Sequence, residues 1–567
     1  MRTLICNVSR CIAATLLLSC AGQVPPGGGP EDFEPPEIVS VYPAPFTTSY
    51  DDTKIVLEFS EYVNRPSVNE SIFISPAVGS LEFDWSGKEV EISFSQVLRK
   101  NTTYVVNVGT DVKDTRRGNR MAQAFALAFS TGDSIDRGAI EGMVYPSVAG
   151  KPVTGVMMFA YKLDGMDPDT LDPSTLQPDY ITQTGQDGRF FFRHVSIGPY
   201  RVFAVRDEYR DLLYDPETDE YAVLQNDVML TETDTLAAGL VMRLARQDTT
   251  APRLVEIRTV HQSLLTLGFS EGLDSACATN QAVQIVDTSD GSALGVRSLV
   301  FKLPQRKELF VLTDRQEGGK GYRTIVSGLR DSVGLPISPI ADRLTFEGSG
   351  IADTVRPALS GLTFADSTKN MEIDPVLFVY FSEPVTEVGW ELLVQFRDTV
   401  GPVSFKARWL GHALELRPRN LLTGNMWYTV SVNTGILLDF AGNKGKDTVL
   451  SYRFQTIDTE RLSGIEGIVV DRAESDTSGL IVLTARDADR KSAIPRQVSV
   501  ARSGPFVFDR LLEGRYVLEA FRDRNNNGMY DAGSARPFSV SERFTVHADT
   551  LRLRARWPIE GVVLQLR

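Results

Sequence analysis

The densest group of side chains able to do chemistry in this chain is Asp523-Arg-Asn-Asn-Asn-Gly-Met-Tyr-Asp531. Calcium takes about six to eight oxygen ligands, and an EF-hand-type loop supplies them from alternate positions around a glycine turn. Asp523, Asn525 and Asn527 fall on positions one, three and five; Gly528 takes the turn, Met529 offers its carbonyl, and Asp531 stands at nine. Position twelve is Ser534, so the bidentate glutamate is missing and Ca2+ binding is expected to be weak, with Kd of ~10⁻⁴–10⁻³ M. The same spacing also describes an Asn-rich turn closed by its own side chains, and the sequence leaves both readings open. An earlier, related segment has Tyr209 in place of the Asn and Leu212 in place of the Gly, so it is expected not to bind.

A second set of acids comes from the triplet Phe-Ser-Glu, which places Glu61, Glu271 and Glu383 in matching contexts. A buried Phe followed by an outward acid that accepts turn N–H groups is what a strand end provides, so a structural role is expected for all three. Nucleophilic and metal chemistry is otherwise thin. The four histidines, at 194, 261, 412 and 547, each stand alone in their stretch. No HExxH, GxSxG or phosphate-cradling glycine loop occurs. Cys277, in Ser275-Ala-Cys-Ala278, has no histidine nearby and reads as a small buried residue. Trp85, Trp390, Trp409, Trp427 and Trp557 are scattered and read as packing residues. The expectation is a protein that is not an enzyme, has no catalytic residues and requires no cofactor.

Composition narrows the partners. Of 567 residues, 42% are hydrophobic and 23% charged, which fits folded domains rather than a disordered tail. The formal charge of −14 leaves no basic field to gather phosphates, so nucleic acid is excluded as a partner.

The start of the chain indicates a compartment. Met1 to Ser19 carries Arg2 and Arg10, no acid, and the apolar run Ile12–Ser19, the layout of a secretory signal. It ends in Leu17-Leu-Ser-Cys20, which resembles a bacterial lipobox. That resemblance implies lipidation of Cys20 as the mature first residue, and Ala21 in place of Asp implies the outer membrane. Residues 21–36 read AGQVPPGGGPEDFEPP, a Gly/Pro tether able to reach roughly 50–58 Å when extended. After the signal and Cys20, only Cys277 remains, so disulfides cannot hold the protein together.

The elements that must position these groups are strands. Glu89–Ser95 alternates strictly, with Val90, Ile92 and Phe94 on one face, and Ala124–Phe129 does the same. Two repeat types emerge. The first has a Pro-marked entry (Pro36, Pro252, Pro357), then Phe-Ser-Glu, then Asp plus a turn Gly (Asp114/Gly118, Asp331/Gly334, Asp439/Gly442). The second begins Ile140-Glu-Gly and recurs as Ile465-Glu-Gly, with Tyr200, Asp207 and Asp215 answered by Tyr516, Asp523 and Asp531. The predicted layout is a signal at 1–19, lipidated Cys20 and tether at 20–32, and units at 33–133, 137–246, 250–348, 353–458 and 462–567.

Type-one units resemble the bacterial Ig-like domain first defined in the S-layer protein SbsA, with the 250–348 copy the most divergent. Type-two units resemble the prealbumin-like sandwiches of carboxypeptidase-regulatory and collagen-adhesin B-type domains. The whole is similar to outer-membrane lipoproteins of the Bacteroidetes type. The expected fold is all-β, with tandem Ig-like and prealbumin-like β-sandwiches in an elongated array. The expected function is a lipid-anchored spacer or adhesion scaffold at the outer membrane, on its periplasmic or outer face. Its partners would be membrane lipid through Cys20 and an envelope protein or glycan, and the alternative is an accessory glycan-binding lipoprotein.

Overall fold

The computed structural model describes residues 33–76, 78–148, 150–473, 478–490 and 493–566; the signal, Cys20 and most of the tether lie outside the described residues. Strands dominate, and the sheets fall into five sets along the chain.

In the first set, the strands Ile38–Tyr42, Lys54–Phe59, Glu89–Phe94 and Leu81–Ser86 form one antiparallel sheet, in that order. It faces a three-stranded sheet of Ile72–Ser75, Thr103–Val108 and Phe125–Ser130. The period-two pattern puts Val90, Ile92 and Phe94 inside, where they meet Tyr104, Val106, Leu127 and Phe129. The third and fourth sets repeat the strand order of the first four-stranded sheet. Leu254–His261, Leu264–Phe269, Glu308–Thr313 and Val296–Phe301 form it in one, and Leu359–Leu362, Leu377–Phe381, Ala413–Pro418 and Phe405–Trp409 in the other. The copy most divergent in sequence therefore keeps the same plan.

The second and fifth sets share a different plan. Gly138–Tyr145 pairs antiparallel with Arg189–Val195 and parallel with Leu236–Arg243; Leu462–Asp471 does the same with Gly504–Leu512 and Ile559–Leu566. The shared Ile-Glu-Gly has a physical reason. A Cβ on Gly142 or Gly467 would collide with the carbonyl oxygen of Leu240 or Val562 where the parallel strand crosses at a register shift.

The sandwiches also share faces. Every residue of Thr103–Val108 is buried, because Val105 turns away from its own core and packs into that of the second unit. Asn107 seals this contact, donating Nδ2–H to the Ile181 carbonyl at 2.7 Å. Between the fourth and fifth units, Arg510 pairs with Asp374 at 3.1 Å and Arg496 pairs with Glu372. Finally, the fifth unit lies back against the second. Tyr221 donates to the Gly533 carbonyl at 2.6 Å, Phe538 packs on Phe203 and under Arg201, and Tyr145 and Val241 meet Phe521, Tyr530 and Phe544. Tandem along the chain, units two to five close a circuit in space.

Candidate functional site

The three Phe-Ser-Glu triplets divide their labour in the same way. Phe59, Phe269 and Phe381 are buried in their cores. Ser60, Ser270 and Ser382 lock the entry strand: each accepts an N–H on its Oγ at 3.0 Å, from Glu37, Arg253 and Ala358 respectively. The chain two residues beyond the Glu then bridges to the late Asp of the repeat, as Val63 to Asp114, Leu273 to Asp331 and Val385 to Asp439. That bridge brings the Glu and the late Asp to one end of each sandwich, where the preceding unit or linker arrives.

The turn N–H groups expected on the Glu are accepted by the Asp instead. Asp114 Oδ1 takes those of Arg116, Arg117 and Gly118, Asp331 Oδ1 those of Val333 and Leu335, and Asp439 Oδ1 those of Ala441 and Asn443. An aspartate one residue before a turn is short enough to reach back to it, whereas the Glu sits across the bridge. Glu271 and Glu383 lie with the linker acids Asp248 and Asp353, and Glu61 lies beside the entry segment at Glu34 and Glu37.

At the junction of the third and fourth units, His261, Asp353 and Glu383 each place one ligand atom within 4.8 Å of the other two. The Ser263 N–H donates to His261 Nδ1 at 3.2 Å, so the proton of the neutral ring sits on Nε2, which meets Asp353 Oδ2 at 3.1 Å. Burial lowers the His261 pKa against the pull of Asp353. Burial, then Asp353 and Asp439, push the Glu383 carboxyl up to about 7. The group borders a cleft of about 330 Å³. Its ring nitrogens are satisfied, so the arrangement holds two units together as a hydrogen-bonded cluster. Sequence spacing gave no sign of it, since the histidine and the acids come from different units. His412 serves the same junction: buried, it accepts the Leu303 N–H on Nε2 at 3.1 Å, and desolvation drops its pKa to about 4.

At the junction of the second and third units, Asp248, Glu271 and Asp331 form the corresponding cluster, again within 4.8 Å. Burial raises the Glu271 pKa, followed by Asp248 and Asp331, and Lys307 opposes them. In the first unit Glu61 shares a cleft of about 580 Å³ with Glu34, Glu37, Lys88 and Arg116.

The loop Asp523–Asp531 is closed by its own bonds. Buried Asp523 accepts the N–H of Asn527 on Oδ1 at 3.1 Å and that of Gly528 on Oδ2 at 2.8 Å. Asn525 accepts from the same Asn527 N–H and donates Nδ2–H to Asp531 Oδ2 at 2.7 Å; Asn527 accepts the Met529 N–H at 2.7 Å. Glu542, unseen in the sequence reading, fastens the two ends by accepting the N–H groups of Arg524 and Asp531. The earlier repeat is built alike: Asp207 accepts from Arg210 and Leu212, and Asp219 accepts from Glu208 and Asp215. The fastening acid thus occurs in both loops, whatever their asparagine content. Cys277 is half-buried rather than buried. Its Sγ–H donates to the Asp274 carbonyl at 2.8 Å and its sulfur accepts the Arg330 N–H. Four tryptophans are partly buried, while Trp557 is 74% exposed.

Residues 32–131 and 353–456 match a bacterial Ig-like domain family. No curated protein matches the sequence. Among solved structures, the N-terminal part of the bacterial S-layer protein SbsC shares 15% identity over 37% of this chain and 45% of its own, with a TM-score of 0.17. The chain thus spans less than half of that structure's length. BcpA, the major pilin subunit of Bacillus cereus, shares 10% identity over 76% of this chain and 99% of its own, with a TM-score of 0.14. L,D-transpeptidase 3 from Mycobacterium tuberculosis shares 14% over 28% of this chain and 80% of its own, with a TM-score of 0.16. The fold defined here is a tandem array of β-sandwiches that includes bacterial Ig-like domains.

Proposed function

We propose that the protein is a non-catalytic cell-envelope scaffold, held at the outer membrane by lipid on Cys20, that presents its sandwich surfaces to an envelope protein or glycan. The observation that carries this reading is how its polar groups are used at the junctions. His261–Asp353, Leu303–His412, Asn107–Ile181 and Arg510–Asp374 all fix one unit against the next. Groups committed in this way set relative orientation, which is what a spacer or presenting scaffold needs. The lipobox-like Leu17–Cys20 and the Gly/Pro tether support the anchoring half. Fractionation of cells making Cys20→Ala should find the variant exported and soluble, with the parent chain in outer membranes. A variant that still sediments wholly with outer membranes overturns the anchor. Protease digestion of intact cells then distinguishes a surface-facing scaffold, which is cut, from a periplasmic one, which is spared.

A further inference from the structure

We propose that the junction of the second and third units binds a hard divalent cation of the calcium class through Asp248, Glu271 and Asp331. The three carboxylates each place an oxygen within 4.8 Å of the other two. With metal–oxygen lengths of ~2.3–2.6 Å, oxygens of one calcium shell lie up to about 5 Å apart, so all three fit a single shell. The donors are all carboxylate oxygen, which suits calcium rather than zinc or copper.

The observation that points to a ligand is Asp331 Oδ2. Asp331 is only 2% exposed; its Oδ1 accepts two turn N–H groups, and its Oδ2 is buried with no hydrogen-bond partner. A buried carboxylate oxygen without a donor is costly unless a cation meets it. In the sister turns this oxygen is met from the turn itself, by the Asn119 N–H on Asp114 Oδ2 at 3.0 Å and the Asn443 Nδ2–H on Asp439 Oδ2 at 2.9 Å, whereas the third unit has Leu335 in place of Asn443. The linker acids differ as well. Asp353 stands four residues before its entry proline, as Asp248 does. Each accepts the N–H two residues on, from Val355 and Thr250. Asp353 then receives His261 Nε2, and in the first unit the cleft beside Glu61 contains Arg116. The second–third junction has no such group on its acids among the described residues. Lys307, which moderates Glu271, donates its ammonium to the Ser270 carbonyl at 3.3 Å, as Lys88 does to the Ser60 carbonyl at 2.6 Å in the first unit. Since Asp248 belongs to the linker and the other two to the third unit, the ion would fasten the linker and set the angle between units two and three.

Equilibrium dialysis of the full chain against radioactive calcium at about 1 mM tests this. The parent chain should bind one equivalent more than either Glu271→Gln or Asp248→Asn, and Glu383→Gln should bind as the parent does. Both test variants keep the shape of the side chain, and Asp331 is left intact because it caps a turn. The loop Asp523–Asp531 is unchanged in every arm and cancels from the comparison. Equal binding by the parent and both test variants overturns the site, as does an equal loss in Glu383→Gln.

Discussion

Glu383 sits where burial and two neighbouring carboxylates, Asp353 and Asp439, all favour its neutral form, which places its pKa at about 7. An unfolded glutamate titrates near ~4.3. Between those values the folded state holds a proton that the unfolded state has released, so stability falls as pH rises through this window. The contribution is complete below the unfolded value and gone above the folded one. Glu383→Gln should therefore match the parent chain near pH 4 and exceed it at pH 8 by ~1–2 kcal/mol, after discounting for partial exposure. Urea melts at the two pH values check this, and a variant equally stable or weaker at pH 8 refutes it. Gly528 offers a backbone test on the same scale. Its φ is +77° and a Cβ would meet nothing within 4 Å, so the only cost of Gly528→Ala is left-handed strain. That cost should be ~1–2 kcal/mol in the melt of the fifth unit. The matching residue of the earlier repeat, Leu212, already bears such strain at φ +64° while packing against the apolar cluster of Phe159 and Tyr161.

The strand Thr103–Val108 shows how an element can belong to two cores. Tyr104, Val106 and Val108 face the first unit, and Val105 faces the second. Val105→Ala should cost the full chain about 1.6 kcal/mol for two buried methylene equivalents. In the fragment 33–133 the same side chain faces water, and the substitution should cost almost nothing. Thermal melts of both forms decide it; equal costs in the two settings would mean that the units do not share this face. The example also shows what the sequence made legible. Alternation in Glu89–Phe94 located core residues because the opposing sheet lies in the same unit. The burial of Val105 was illegible because its partner face, with Phe192, Tyr200 and Val202, begins a whole sandwich later. The Phe-Ser-Glu acids are legible as repeats, but that the late Asp accepts the turn N–H groups is not. Nothing in local spacing says whether Glu or the late Asp will reach the turn across a bridge. His261 and Asp353 were invisible as a pair for the same reason: tertiary approach, not spacing, joins them.

At the scale of the whole molecule, closure of the fifth unit on the second decides how far the array can reach. Repeats encode each sandwich separately, so the contact that shortens the array had no local signature. Its polar centre is Arg243, whose guanidinium lies 5.4 Å from the Tyr530 ring centre and 5.1 Å from that of Phe544, and 3.7 Å from Glu519. Cation–π contacts of this kind contribute ~0.5–2 kcal/mol each when desolvated. Removing Arg243 leaves no buried acid stranded, because Arg486 also pairs with Glu519, at 3.1 Å. Arg243→Ala should therefore weaken the closure without unfolding either sandwich. Small-angle X-ray scattering should show a larger radius of gyration for the variant, while circular dichroism stays unchanged. Adding Phe538→Ala, which removes the ring stacked under Arg201 at 3.5 Å and packed on Phe203, should open the circuit further. If the double variant scatters like the parent, the fourth–fifth and third–fourth junctions alone hold the fifth unit in place, and the closing contact follows from their angles rather than setting them.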